Sequence, residues 1–292
     1  MAALRAGSGS NAPGVRLAWL LARAVAAAVL CLSVLPARAT GLHLAQSADP
    51  PPASHCLAVA ENRPPFRRAA LGSALSAHEI RVTFAGHSTF VLETAAGVTI
   101  ATDYNGYAGG IIPRVVTMNH AHSSHFTIFP DPEIQHVLRG WDTGEGPAKY
   151  FLQVEDVLIR NVTTDIRSGA ATMEHDGNSI FIFEAAGLCI GHLGHLHHRL
   201  TDEQYAQIGR IDVLMVPVDG SFTMGHDGML EVARRLRSSL ILPMHYFGQL
   251  SFNRFLTEMG KEMDVEVSQE PTAVLSLASL PQKPKILVLP GY

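Results

Sequence analysis

Fifteen histidines stand among 292 residues, and seven of them fall in two short segments, His120-Ala121-His122-Ser123-Ser124-His125 and His192-Leu193-Gly194-His195-Leu196-His197-His198. Alternate residues of an extended chain point the same way, so His120 and His122 can share one metal ion while His125 turns towards a second. A divalent ion held by three imidazoles with one position open brings the pKa of its bound water to about 7 and polarises the bond under attack. That chemistry is hydrolysis without a protein nucleophile. His175, in Met173-Glu174-His175-Asp176, and His245, after Pro243-Met244, add two candidate ligands from a distance. Each alone reads as a structural histidine; beside two clusters they read as ligands.

The elements that must position these residues are strands. The first cluster follows the apolar run Val115-Val116-Thr117-Met118, and His245 follows Leu240-Ile241-Leu242. Both therefore emerge at the C-terminal ends of buried strands, where sites in open sheets gather. Further strands are expected over 80–84, 88–93, 98–102, 157–160, 179–184, 188–190 and 213–216, with Ala95-Ala96-Gly97 as a hairpin turn. Thr201-Asp202-Glu203-Gln204 has the spacing of a capping box that opens a helix. Leu230, Val232, Ala233 and Leu236 give a second helix its apolar stripe. Strand-rich halves with helices between them predict two sheets flanked by helices in one domain, 79–292.

With 47% hydrophobic and 16% charged residues, the chain can bury a full core. A formal charge of -4 and the lack of any long basic run exclude a nucleic-acid binder. Residues 1–39 contain Arg5, Arg16, Arg23 and Arg38, no acid, and an uncharged stretch over 24–37 that is too short to span a bilayer. With Ala37-Arg38-Ala39 as a cleavage site, this segment reads as a signal peptide removed before Thr40. The expectation is a periplasmic or secreted protein with no stable membrane insertion after cleavage. Residues 40–78, rich in Pro and Ala, read as a linker or N-terminal arm. Cys56 and Cys189 remain in the mature chain; an oxidising compartment would allow them to pair, and two unpaired thiols are the alternative.

The stretch from Ile80 to Asp103, with Gly86-His87-Ser88 and Ala101-Thr102-Asp103, is similar to the opening of the metallo-β-lactamase superfamily, in its branch of ascorbate-6-phosphate-lactonase-like hydrolases. His120-x-His122-x-Ser124-His125 resembles that superfamily's His-x-His-x-Asp-His motif. His192-Leu193-Gly194-His195 resembles its Gly-Asp segment, with His195 at the Asp. Asp212 through Gly220, then Pro243-Met244-His245-Tyr246, resemble its closing segments. The resemblance runs over residues 79 to 290 and implies an α+β fold, a four-layer αββα sandwich in a single domain with the metal site at one edge of the two sheets.

What the resemblance implies for function is a metal-dependent hydrolase using metal-bound water to cleave a small, anionic ester, lactone or phosphodiester. Zinc is the default ion, with Fe, Mn, Ni and Cu left open. Carried over by position, one ion falls to His120, His122 and His175 and the other to His125 and His245, and with His195 as a further candidate ligand these six imidazoles are expected to converge on one pocket. Two departures matter: Ser124 stands where the family places an Asp ligand, and His195 where it places a bridging Asp. Without those carboxylates, two divalent ions and one hydroxide leave a net charge of about +3, against about +1 in the family. One tightly held ion is therefore expected, with a second only weakly bound unless an anion joins it. The same losses admit an alternative, a metal-binding protein on this fold with reduced or no hydrolytic activity. Ser124 is the candidate catalytic position, although its hydroxyl cannot take up a proton at neutral pH. Asp103 is expected behind a ligand histidine. His226 is a candidate to face the substrate, with a capping or surface role as the alternative.

Overall fold

The computed structural model describes residues 53–57, 75–168 and 172–291. The expected signal segment 1–39, and the expected arm apart from residues 53–57 and 75–78, lie outside the described residues. In chain order the strands are β1 (Ile80–Gly86), β2 (Thr89–Thr94), β3 (Thr99–Ala101), β4 (Val115–Met118), β5 (His136–Arg139), β6 (Phe151–Val154), β7 (Val157–Ser168), β8 (Thr172–Ala185) and β9 (Leu188–His192). Helix α1 (Asp202–Ile208), β10 (Val213–Pro217), α2 (His226–Leu236), β11 (Leu240–Met244) and α3 (Gln249–Met259) follow. The chain then adds β12 (Asp264–Val267), β13 (Thr272–Leu275) and β14 (Lys285–Val288).

Two sheets result, one in the order β13-β1-β2-β3-β4-β5 and one in the order β12-β14-β11-β10-β9-β8-β7-β6. Phe84, Phe90 and Leu92 of the first pack against Phe181, Phe183 and Met215 of the second to form the central core. On the outer face of the second sheet, Ile208 of α1, Val232 of α2 and Phe255 of α3 cover Ile182, Val216 and Ile241. The first sheet's outer face is closed by Tyr104, Ala108 and Ile134, which lie in loops, against Val116 and Met118. The sandwich expected from the sequence is present, with that outer layer built from loops among the described residues.

Strands β9, β10 and β11 run parallel and are buried along their whole length, which is why they read as uninterrupted apolar runs. Parallel pairing carries their C-terminal ends to one edge, and β3 and β4, also parallel, bring theirs to meet it. The capping box of α1 forms as the sequence requires, with Thr201 and Gln204 bonded reciprocally. Helix α3 stands in addition to the two expected helices; it starts after Gly248 with no side-chain cap and carries Phe252, Phe255, Leu256 and Met259 at helical spacing. Strand β12 also lies outside the expected strands; its Asp-Val-Glu-Val sequence alternates, but all four residues are exposed.

The short segment 53–57 is tied to the domain in two ways. Cys56 and Cys189 form a disulfide with Cα atoms 5.9 Å apart, closing the alternative that the sequence left open. Beside it, the Glu184 carboxylate accepts hydrogen bonds from Ser54 Oγ at 2.6 Å and the His55 amide at 2.8 Å. Arg160 completes the anchor, donating from Nε to Glu184 at 2.7 Å and from its two terminal nitrogens to the carbonyls of Gln207 and Ile208 at the end of α1. Both members of this ion pair are buried. Among the described residues, no helix is long and apolar enough to cross a membrane.

Candidate metal centre

Four imidazoles converge at the shared edge of the sheets: His122, His125, His195 and His245, whose ligand-capable nitrogens all lie within 4.8 Å of one another. His122 and His125 come from the loop after β4, His195 from the loop after β9, and His245 from the position just after β11. His245 Nε2 is 3.1 Å from His125 Nε2, and His122 Nε2 is 3.0 Å from His195 Nε2. His122 is the member open to solvent; the other three are buried.

Each ring is held from behind through Nδ1. His125 Nδ1 donates to Asp103 Oδ2 at 2.6 Å, and His245 Nδ1 to Asp219 Oδ1 at 3.0 Å. His122 Nδ1 meets Ser124 Oγ at 2.7 Å, and His195 Nδ1 meets His197 Nε2 at 2.6 Å. Asn119 supports this layer by donating to Asp103 at 2.7 Å and accepting from the Ser179 amide at 2.6 Å. Gly194 lets the chain pass close by: a Cβ there would sit 2.3 Å from Asn178 Oδ1 and 2.4 Å from Asn119 Nδ2, on a backbone with φ +60°. His87, Asp103 and His245 also adopt positive φ, near 52°, 42° and 53°, each just past a strand end. Non-glycine residues seldom sit there, and such strain gathers at functional sites.

The surroundings decide protonation. Burial would raise the Asp103 carboxyl, but the charges of His125 and His192 and the hydrogen bonds from His125 and Asn119 outweigh it and hold the group well below the usual carboxylate range. Asp219 is held low in the same way, against burial, by His245, Thr223 and the Ser221 amide. Burial first, then neighbouring imidazoles, pushes His122 and His87 down to about 4 and drives His195 down as well. At neutral pH His122 and His195 are therefore neutral and Asp103 and Asp219 ionised, the states that metal binding needs.

Two residues expected in the cluster stand outside it. His120 donates its Nδ1 proton to Glu174 at 2.7 Å and stacks on Trp141 at a centroid distance of 5.1 Å. The same-side rule fails because the segment is a turn, closed by His125 N to His122 O at 2.9 Å, and not an extended strand. His175 lies on the exposed far end of the β7–β8 hairpin, bonded to Asp165 at 3.1 Å with its side chain 74% exposed. The hairpin runs well beyond the short strand segments legible in the sequence and carries His175 away with it, so the set His120, His122 and His175 is not assembled. Ser124 bridges His122 and His87, 3.0 Å from His87 Nε2. Asp103 stands behind His125. His226 opens α2 and packs its ring over Gly220, outside the four-histidine group.

Three further residues belong to the site: His87, His197 and Asp219. His87 lies in Gly86-His87-Ser88 and His197 in the second histidine segment, so both were visible as motif residues without a role. Asp219 follows β10, the parallel neighbour of β11, and its place beside His245 could be inferred once that pairing was assumed.

The donor set fits a cation. As neutral rings with their Nδ1 protons committed to carboxylates, His125 and His245 turn two bare nitrogens towards each other at 3.1 Å. Two lone pairs at that distance repel unless a positive charge lies between them, and the spacing suits two ligands on one ion with bonds of about 2.0–2.1 Å.

A family model described as a beta-lactamase superfamily domain matches residues 81–245, more than half of the chain. The chain belongs to the metallo-β-lactamase superfamily. A superfamily protein of known structure from Thermotoga maritima, provisionally described as a Zn-dependent hydrolase, is 31% identical, with a TM-score of 0.52 over 72% of this chain and 98% of that one. Among curated superfamily relatives, a metal-dependent hydrolase from Methanospirillum hungatei is 26% identical over 57% of this chain and 83% of its own length. Another from Thermoplasma volcanium is 23% identical over 66% of this chain and 98% of its own.

Proposed function

We propose that this chain is a metal-dependent hydrolase whose histidine cluster holds one divalent ion, zinc by default, and that it cleaves an ester, lactone or phosphodiester. The observation that carries this reading is the pair of bare Nε2 atoms on His125 and His245, each ring fixed by an ionised carboxylate. When bound, the ion would supply Lewis acidity and activate water for attack. The names of the relatives support the reaction class; the substrate follows only from the site itself.

The chain's own groups set the rest. Asp103 and Asp219 fix the tautomers of His125 and His245 and offset the charge of one divalent ion, but not of two. A single bound ion therefore leaves no excess positive charge, and an anionic substrate gains no support from charge balance. Ser124 can pass a hydrogen bond between His122 and His87 but cannot act as a base. Phe247, 5.0 Å from His245 and 5.4 Å from Phe222 by ring centroids, makes a wall of two exposed aromatic rings beside the cluster. Such a wall favours a small molecule with an apolar group next to the bond that breaks.

Elemental analysis of the purified protein, with hydrolysis of p-nitrophenyl acetate and bis(p-nitrophenyl) phosphate before and after chelation, tests this function. The expected result is about one divalent ion per chain and turnover of one of these compounds that chelation abolishes and zinc restores. Turnover indifferent to chelation would overturn the reading. Bound metal without turnover would establish the metal-binding alternative in its place.

We also propose export to the periplasm or exterior, on the basis of the basic-apolar-small pattern of residues 1–39 and the Cys56–Cys189 disulfide, a bond that persists in oxidising compartments. N-terminal sequencing of the native protein should begin at Thr40. A native chain beginning at Met1 contradicts it.

A further inference from the structure

Four imidazoles around one ion would close a tetrahedral shell, whereas a catalytic ion needs an open position. The direction of the hydrogen bonds behind the cluster resolves this. The Arg167 backbone amide points at His197 Nδ1 from 2.6 Å. An amide N–H can only donate, so His197 Nδ1 is an acceptor and the ring carries its proton on Nε2. That proton is donated to His195 Nδ1, 2.6 Å away. His195 must then carry its own proton on Nε2, the atom that faces the cluster 3.0 Å from His122 Nε2. A protonated nitrogen has no lone pair to offer a cation.

The other three rings are ordered the opposite way. His125 and His245 give their Nδ1 protons to Asp103 and Asp219, leaving Nε2 bare. His122 receives the His195 proton at Nε2, so its own proton lies on Nδ1 and is donated to Ser124 Oγ, whose hydroxyl passes on to His87 Nε2 at 3.0 Å. One continuous chain thus runs from the Arg167 amide through His197, His195, His122 and Ser124 to His87, every link polarised in the same sense.

We propose that His122, His125 and His245 are the metal ligands, and that His195 is a hydrogen-bond donor whose Nε2–H faces the position they leave open and binds the substrate oxygen that gains negative charge. This assignment rests on the metal-binding reading above and gives the His195 position a task that a carboxylate there could not perform. His195 is 2% exposed, gripped at Nδ1 by His197 and at its backbone amide by Asn178 Oδ1 at 2.7 Å, so the donor is fixed before a substrate arrives. His197 and the Arg167 amide become positioning groups that act through it.

Two measurements on the full chain test the assignment. Long-range proton–nitrogen correlation spectra of ¹⁵N-labelled, metal-free protein should show His195 protonated at Nε2 and bare at Nδ1; the opposite tautomer overturns the proposal. Zinc titration should leave His195→Ala with one equivalent bound and affinity lowered by no more than about 100-fold, the range for residues that are not themselves ligands, while His125→Ala loses more than that. A loss in His195→Ala equal to that in His125→Ala overturns the donor role. If the unaltered chain binds no zinc or other divalent ion, the metal function fails, and the spectra still decide the state of His195.

Discussion

His245→Ala loses its bound metal, and with it chelator-sensitive hydrolysis, by more than the roughly 100-fold that removal of an outer partner costs. The expectation follows from geometry. His245 Nε2 and His125 Nε2 face each other at 3.1 Å with both rings locked by carboxylates, so deleting one removes half of the only pair in the cluster whose bare nitrogens are fixed by ionised groups. Asp219→Asn should be milder. The amide oxygen can still accept the His245 Nδ1 proton, but the negative charge that offsets the ion is gone, and affinity should fall about 10–100-fold. Metal content by elemental analysis and affinity by calorimetric zinc titration provide the check. Full metal retention in His245→Ala would remove that ring from the ligand set.

Arg160→Ala should destabilise the domain by about 3–5 kcal/mol, the usual cost of leaving a buried partner charge unpaired. Arg160 and Glu184 are each 4% exposed, and the guanidinium also satisfies the Gln207 and Ile208 carbonyls at the end of α1. Losing Arg160 strands a carboxylate and two carbonyls beneath the segment tethered by Cys56. A double replacement, Arg160→Met with Glu184→Leu, should recover the part of the loss due to the stranded charge, while the Gln207 and Ile208 carbonyls and the Ser54 and His55 donors stay unpaired. Urea unfolding with the disulfide intact measures both. Equal destabilisation of the single and double variants would show that the stranded charge is not the cause.

Local chemistry made part of this protein legible. Runs such as Val213–Pro217 and Leu240–Met244 are apolar throughout because parallel strands at the centre of a sandwich meet no water on either side. The α1 capping box was legible because both of its hydrogen bonds join residues three apart. The placement of His122, His125 and His245 just after buried strands likewise followed from composition along the chain, as did Asp103 after β3.

Which histidines meet is a different kind of fact, because it depends on strand length and pairing. His175 is carried out of reach because β7 and β8 continue pairing beyond a bulge between Thr164 and Ile166, a feature set by cross-strand contacts and not by the residues flanking His175. His120 turns to Glu174 and Trp141, partners 54 and 21 positions away. The pairing of Cys56 with Cys189 spans 133 residues and needed the fold to bring the two within bonding distance. Even the proton on His195 is assigned from afar, by a backbone amide of β7 acting through His197. Residue type and spacing along the chain determined that histidines would gather at a sheet edge; only tertiary contacts, which orient donors against acceptors, decided which rings face one another and which nitrogen of each is bare.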